Sequence, residues 1–330
     1  MSTATDSVEI PQQGRPAPIV RMFGWSMLTL LAAFLINDVL MVGFGYPSAF
    51  TAFSAGGKAL VTAAIYLAAL AVAAGLVLRS PSRSIRRDAA LIHRFNLYLI
   101  RAFFWTVLLV GFVDVTIAFM RVENLLVLFM DETTARSFGL ARFVGSYVHI
   151  PLVIASFVIA LFSRTLGFTW LALLIVVAEL AIVISRFIFS YEQALMGDLV
   201  RYWYAALFLF ASAYTLFDDG HVRVDILYAG LSPKGKGFVN AVGSCLLGMT
   251  TAWVILAIGF DGPQSIINGP VRTFEITQTG NIGMFVKYQM AVFLGIFAGT
   301  MLIQFVSYLF EAVADFRDEP GRREPAPIAH

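Results

Sequence analysis

Eight stretches of this chain, at 23–44, 59–78, 102–120, 144–163, 166–189, 199–217, 238–260 and 284–308, run about 20 residues each with scarcely a charge. A helix of that length and polarity crosses the hydrocarbon of a bilayer, where every backbone N–H and C=O has to be satisfied within its own segment. Eight such runs cannot all be buried in one water-soluble core. Hydrophobic residues make up 59% of the chain and charged ones only 13%, against about 25% charged in soluble domains. Too little polar surface remains to cover a globule. The fold class read from the sequence is an all-α integral membrane protein of about eight spans.

The same composition excludes several function classes. A net charge of +2 is too small to attract nucleic acid. Cys245 is the only cysteine, which leaves neither a disulfide framework nor a thiolate metal site within one chain. No phosphate-binding glycine loop, nucleophile with a base, or metal cluster is visible, so no enzyme activity and no cofactor are expected. His149 is the one histidine within an expected span, while His93 and His221 fall on the opposite side. That does not make a pair of haem ligands on facing helices. The first apolar run is longer than the core of a signal peptide and reads as a retained helix. With the N-terminus inside, most of the 23 basic residues fall on the cytoplasmic side, six of them in 79–101. Both termini are then expected in the cytoplasm.

Three segments read as interfacial rather than spanning. Residues 84–101 place Leu91, Phe95, Tyr98 and Leu99 at helical spacing, with arginines on the other face. Residues 121–130 are expected along the outer surface. The third is the charged stretch 218–237, DDGHVRVDILYAGLSPKGKG, between two spans. Its Val224, Leu227, Tyr228 and Leu231 form a helical apolar stripe, and Ser232-Pro233 supplies an N-cap and a proline for the next helix. His221, Arg223 and Asp225 alternate by two, which diverges on a helix. The alternation indicates an extended lead-in with specific partners as well as charges reaching headgroups and membrane lipid.

Residues 185–237, SRFIFSYEQALMGDLVRYWYAALFLFASAYTLFDDGHVRVDILYAGLSPKGKG, carry a more specific pattern. Arg186-Phe187 closes one span, Glu192 and Asp198 mark an acidic outer turn, and the span 199–217 follows. Then come His221-Val222-Arg223-Val224-Asp225 and Leu231-Ser232-Pro233-Lys234. In order and spacing this resembles the small membrane subunit (DctQ type) of the tripartite ATP-independent periplasmic (TRAP) transporters, over about 166–310. The outer turn lacks the Trp-Glu-Glu common in the family. The expected organisation is a cytoplasmic tail at 1–22, a four-span extension at 23–165, a four-span DctQ-like domain at 166–310 and a cytoplasmic tail at 311–330. Because 166–310 has the size of a whole small subunit, residues 166–330 are expected to insert without the extension.

The resemblance implies a small permease subunit in a bacterial inner membrane, acting without ATP. It would support a large membrane subunit (DctM type) and help dock a periplasmic substrate-binding protein (DctP type) during sodium-coupled uptake of organic acids. On that reading His221, Arg223, Asp225, Glu192, Arg201 and Lys287 are candidate partner contacts. Ala291, Gly295 and Gly299 form a small-xxx-small ladder that lets helices approach closely. Asp38, Asp114 and Glu179 lie within spans, where insertion of a carboxylate costs about 2.5–3.5 kcal/mol. They read either as hydrogen-bonded joints between helices or, in the alternative of a self-sufficient eight-helix transporter or channel, as the lining of an ion path.

Overall fold

A computed structural model describes residues 11–48, 56–217 and 226–322 of the chain. Its described residues form helices and connecting turns without a strand; a lone antiparallel bridge joins Gln13 to Arg83. Among the described residues, eight helices are long and apolar enough to cross a membrane. In chain order they are α1 (Pro18–Phe44), α2 (Gly57–Leu78), α3 (Ile85–Val122) and α4 (Ala141–Phe162), then α5 (Phe168–Phe189), α6 (Ala194–Phe217), α7 (Pro233–Gly259) and α8 (Lys287–Phe316).

The ends follow local chemistry. Pro18 opens α1, where its missing N–H costs nothing, and Gly45 closes it at φ 65° with its N–H returned to the carbonyls of the last turn. At the start of α7 the Ser232 hydroxyl accepts from the Gly235 N–H at 3.2 Å, ahead of Pro233, as the sequence indicates. Single π-turns at Gly145–His149 and Ser244–Met249 widen α4 and α7. In the connection between α3 and α4, Asp131 caps Glu132–Ser137. Its hydrogen bonds from Thr133 and Thr134 hold the carboxyl well below the usual range.

Two of the helices are longer than the apolar runs indicate. Residues 84–101 are not a separate arm: from Ile85 they are the first turns of α3, 38 residues without a break. α8 likewise continues past the expected span end to Phe316. Polar residues in both extensions satisfy one another inside the protein, so neither needs to end where its apolar run does.

The chain packs as two compact units, and each draws on both sides of residue 165. The first comprises residues up to Asn96, Ala213–Leu256 and the chain from Met301. Its interior is a polar ladder between α3 and α8. His93 Nδ1 lies 3.0 Å from Gln304 Oε1, Asn96 donates to the same oxygen at 3.3 Å, and Ser307 donates to the Ala89 carbonyl at 2.9 Å. Arg86, 1% exposed, donates to Glu311 at 2.5 Å, to Asp315 at 2.7 Å, and to the carbonyls of Glu319 and Pro320. Asp88 is wholly buried and accepts from Arg21 at 2.7 Å and from the Trp25 indole at 3.1 Å. Arg83 adds its charge 3.0 Å from the same carboxylate, off the angle of a hydrogen bond. Arg83 and Arg86 therefore have carboxylates of the protein itself as counter-charges, and Arg86 is turned inward. His93, stacked on Phe217, is likewise a core residue.

Close helix approach in this unit occurs at Gly237, where a Cβ would lie 2.6 Å from the Ala312 carbonyl oxygen. The two glycines of the ladder expected at Ala291, Gly295 and Gly299 show no such backbone approach within the chain. Gly295 receives the Phe260 ring, and nothing lies within 4 Å of where a Gly299 Cβ would be. Small residues in apolar helices are common enough that spacing alone does not locate the crossing.

The second unit comprises Leu97–Ser212 and Ala257–Thr300. Its centre is aromatic, with Phe104 and Phe293 each packed edge-on against Phe210. Trp203 is buried against Gly111, where any Cβ would strike the indole, and donates to the Val107 carbonyl at 3.1 Å. Large apolar side chains remain exposed along most spans, the surface that a lipid-solvated helix presents.

Candidate partner-contact site

The candidate residues form two groups of partner contacts and one of intramembrane carboxylates. His221, Arg223 and Asp225 lie outside the described residues. Just beyond them a short helix, Ile226–Ala229, presents Tyr228, whose hydroxyl accepts from Asn240 at 2.8 Å and whose ring lies under the Lys236 ammonium. Tyr228 is thereby tied to the first turns of α7.

The second group is Glu192, Arg201 and Lys287; the first two line one cleft of the second unit together with Asp198, and Lys287 opens α8. Asp198, five residues into α6, is the buried hub. One carboxylate oxygen accepts from Thr277 at 3.0 Å, from Thr279 at 2.9 Å and from the Met284 N–H at 3.1 Å. Gly283 packs so tightly on this cluster that a Cβ would lie 2.4 Å from the Asp198 oxygen. Arg121 at the end of α3 donates to the carbonyls of Gly283 at 2.6 Å, Asn281 at 2.8 Å and Phe138 at 3.2 Å. Its guanidinium lies 4.0 Å over the Phe285 ring. Two charged groups from different spans thus pin the connection 274–286.

On that foundation sit charges that are not used up. Arg201 is 70% exposed and 3.8 Å from Asp198. Glu192 and Arg186 are both well exposed and only 3.6 Å apart. Lys287 pairs with Glu275, each about two-fifths exposed. Tyr191 donates to Glu123 at 2.5 Å, which pushes its phenol above its ordinary pKa, and Gln193 donates to the same carboxylate at 2.7 Å. A shallow cleft opens among Ile182, Tyr191, Glu192, Gln193, Asp198 and Arg201. Exposed ion pairs contribute only about 0–1 kcal/mol to folding, so these side chains are free to exchange partners.

The third group is the intramembrane carboxylates. Asp114 is wholly buried; it accepts from the Phe285 N–H at 2.8 Å and lies 3.1 Å from His149 Nε2. His149 Nδ1 is 2.7 Å from the Tyr288 hydroxyl, which also accepts from Gln289, and Gln289 in turn accepts from Tyr202. This chain of hydrogen bonds joins α3, α4, α6 and α8 as a joint within the protein. His149 is a member of it. Asp38 is buried in the first unit. Glu179 alone of the three is exposed, at the middle of α5.

Sequence reasoning missed Arg121, Arg86 and Asp88, and took Asp198 only as an acid of a turn, not as a buried hub. The signal available was periodicity: Arg86, His93, Asn96 and Asp114 fall on the buried stripe of α3, in step with Ile85, Ile92, Ile100 and Phe104.

With eight helices among the described residues long and apolar enough to span a bilayer, the chain is a multi-pass membrane protein. Residues 173–315 match the model of the DctQ component of tripartite ATP-independent periplasmic transporters. This part of the chain is a DctQ domain, and α1–α4 precede it as a four-helix extension. No curated protein and no solved structure matches the chain.

Proposed function

We propose that this protein is the small permease subunit of a TRAP transporter in a bacterial inner membrane. It would support a large membrane subunit and help dock a periplasmic substrate-binding protein during sodium-coupled uptake of an organic acid. The observation that carries this reading is the DctQ match, which spans α5 to α8 with its connections. Positive charge concentrated in 79–101 argues for both termini in the cytoplasm. The surface around Asp198, Glu192 and Arg201 then faces the periplasm, where a binding protein arrives. The arm with His221, Arg223 and Asp225 faces the cytoplasm and contacts the large subunit.

An independent ion path has little to support it. Asp114 is committed to hydrogen bonds within the protein, and α5, α6 and α8 run without the mid-span breaks that form transporter sites.

The test is recovery of the large subunit with this chain from native membranes. Arg223→Ala and Asp225→Ala should each lower recovery while insertion is unchanged, because truncating one side of a desolvated charge pair costs about 2–5 kcal/mol. Arg87→Ala, half-buried near the start of α3, should do far less. Equal recovery from both arm variants would leave the arm a lipid-facing element. Failure of the unaltered chain to bring down a large subunit would remove the reading itself.

A further inference from the structure

The span α5 is unlike the other seven. Of its 22 residues only Leu171 is buried. A helix kept in a folded membrane protein by so little of its own surface gains its fixed position from something outside the chain, or is held only by its connections. Lipid alone would cover an apolar helix, but α5 is not wholly apolar. Glu179 stands halfway along it, exposed, with no hydrogen-bond or ionic partner among the described residues. Twenty-two residues at 1.5 Å each span roughly 33 Å, the thickness of the hydrocarbon. The carboxyl therefore lies near mid-depth, too far from either interface for its short side chain to reach a headgroup.

The residues around it form a usable face. Val176 and Val183, one turn before and after Glu179, are both exposed, and Ala172 two turns before is small. Arg186, two turns after, brings the same face to the charged outer cleft. The stripe is thus apolar, with one acid at its centre and a cation at its end.

We infer that this face of α5 is the seat of a transmembrane helix from another chain, one that presents an arginine, a lysine or another hydrogen-bond donor opposite Glu179. Charge complementarity selects that occupant. A buried carboxylate needs a donor, and intramembrane ionisable groups pair with one another or line a polar path. A second copy of this chain would set two acids against each other, and lipid tails offer no donor. The inference rests on the small-subunit reading, in which the natural source of the helix is the large membrane subunit. It names the surface and the anchoring residue, neither of which the family match assigns.

The experiment places a photo-crosslinking phenylalanine analogue at Val176 or Val183 of the full chain in native membranes, with Leu67 on exposed α2 as control. Adducts from both α5 positions should map to one helix of the large subunit, with Arg, Lys, His or Asn within a turn of the attachment point. Leu67 should give lipid adducts only. Glu179→Leu should lower recovery of the large subunit by roughly tenfold or more, as when one member of a desolvated charge pair is lost. It should leave insertion intact, because leucine inserts better than glutamate. Glu179→Gln, which keeps an acceptor, should fall between. Adducts at twice the chain's own mass, adducts with lipid only, or a mapped helix without a donor would overturn the inference. If any of these occurs while the large subunit still co-purifies, the small-subunit reading stands. If the large subunit never co-purifies, that reading fails and the inference with it.

Discussion

Residues 166–330 expressed without the first 165 should enter the membrane and still fail to reach the folded state. The spans are apolar enough to insert by themselves, but the partners that organise them are gone. Without α3, Trp203 loses the Val107 carbonyl and the flat Gly111 surface against which its ring packs. Without Asp114 and His149, the Phe285 N–H and the Tyr288 hydroxyl lose their acceptors in the interior. Gln304, Glu311 and Asp315 lose His93, Asn96 and Arg86. Each buried polar group left unsatisfied costs about 1–3 kcal/mol, and several together match the whole stability of a typical domain, about 5–15 kcal/mol. Size-exclusion profiles and protease resistance in mild detergent should show an aggregated, rapidly cleaved product. A monodisperse fragment as resistant as the same region of the full chain would show that the DctQ domain has a core of its own.

Asp88→Ala should be the most damaging single substitution in the first unit. Its carboxylate is fully buried and faces Arg21, which is 1% exposed, and Arg83. Removing the acid strands the Arg21 guanidinium with only the Ser80 carbonyl and hydroxyl. Breaking one side of such a pair costs about 3–5 kcal/mol, whereas replacing both sides with apolar residues of similar size is far milder. Thermal denaturation in detergent should therefore show a large drop in midpoint for Asp88→Ala. A partial recovery is expected when Asp88→Leu is combined with Arg21→Met. Arg83→Ala, at a third exposed, should shift the midpoint little. A drop of the same size for Arg83→Ala and Asp88→Ala would mean that the pair with Arg21 is not what holds the site.

The number and order of spans were legible because the hydrocarbon sets a length and a polarity that few soluble helices share. The DctQ resemblance was legible too, carried by residues whose order and spacing are distinctive around Arg186, Asp198 and the 221–234 stretch. What escaped was the inward use of polar residues. Arg86, Asp88 and His93 sit beside exposed Leu91 and Phe95, so the segment reads equally well with either face outward. Only the matching series Gln304, Ser307, Glu311 and Asp315 on α8, more than 200 residues away, decides it. Asp198 looks like one of several acids in an outer turn until Thr277, Thr279 and Met284 arrive from the far end of the domain. Gly237 was overlooked in a basic stretch, where a glycine suggests a turn and not a helix crossing. Long-range pairing is the common cause: a single chain records each partner but not which two meet.

The most direct test of the central claim is substrate uptake in reconstituted vesicles. The large membrane subunit, the periplasmic binding protein and an inward sodium gradient are supplied, and this chain is included or left out. The account predicts organic-acid uptake that requires this chain together with both partners, and no uptake when it is reconstituted alone. Undiminished uptake in its absence, or full uptake by this chain alone, would contradict it.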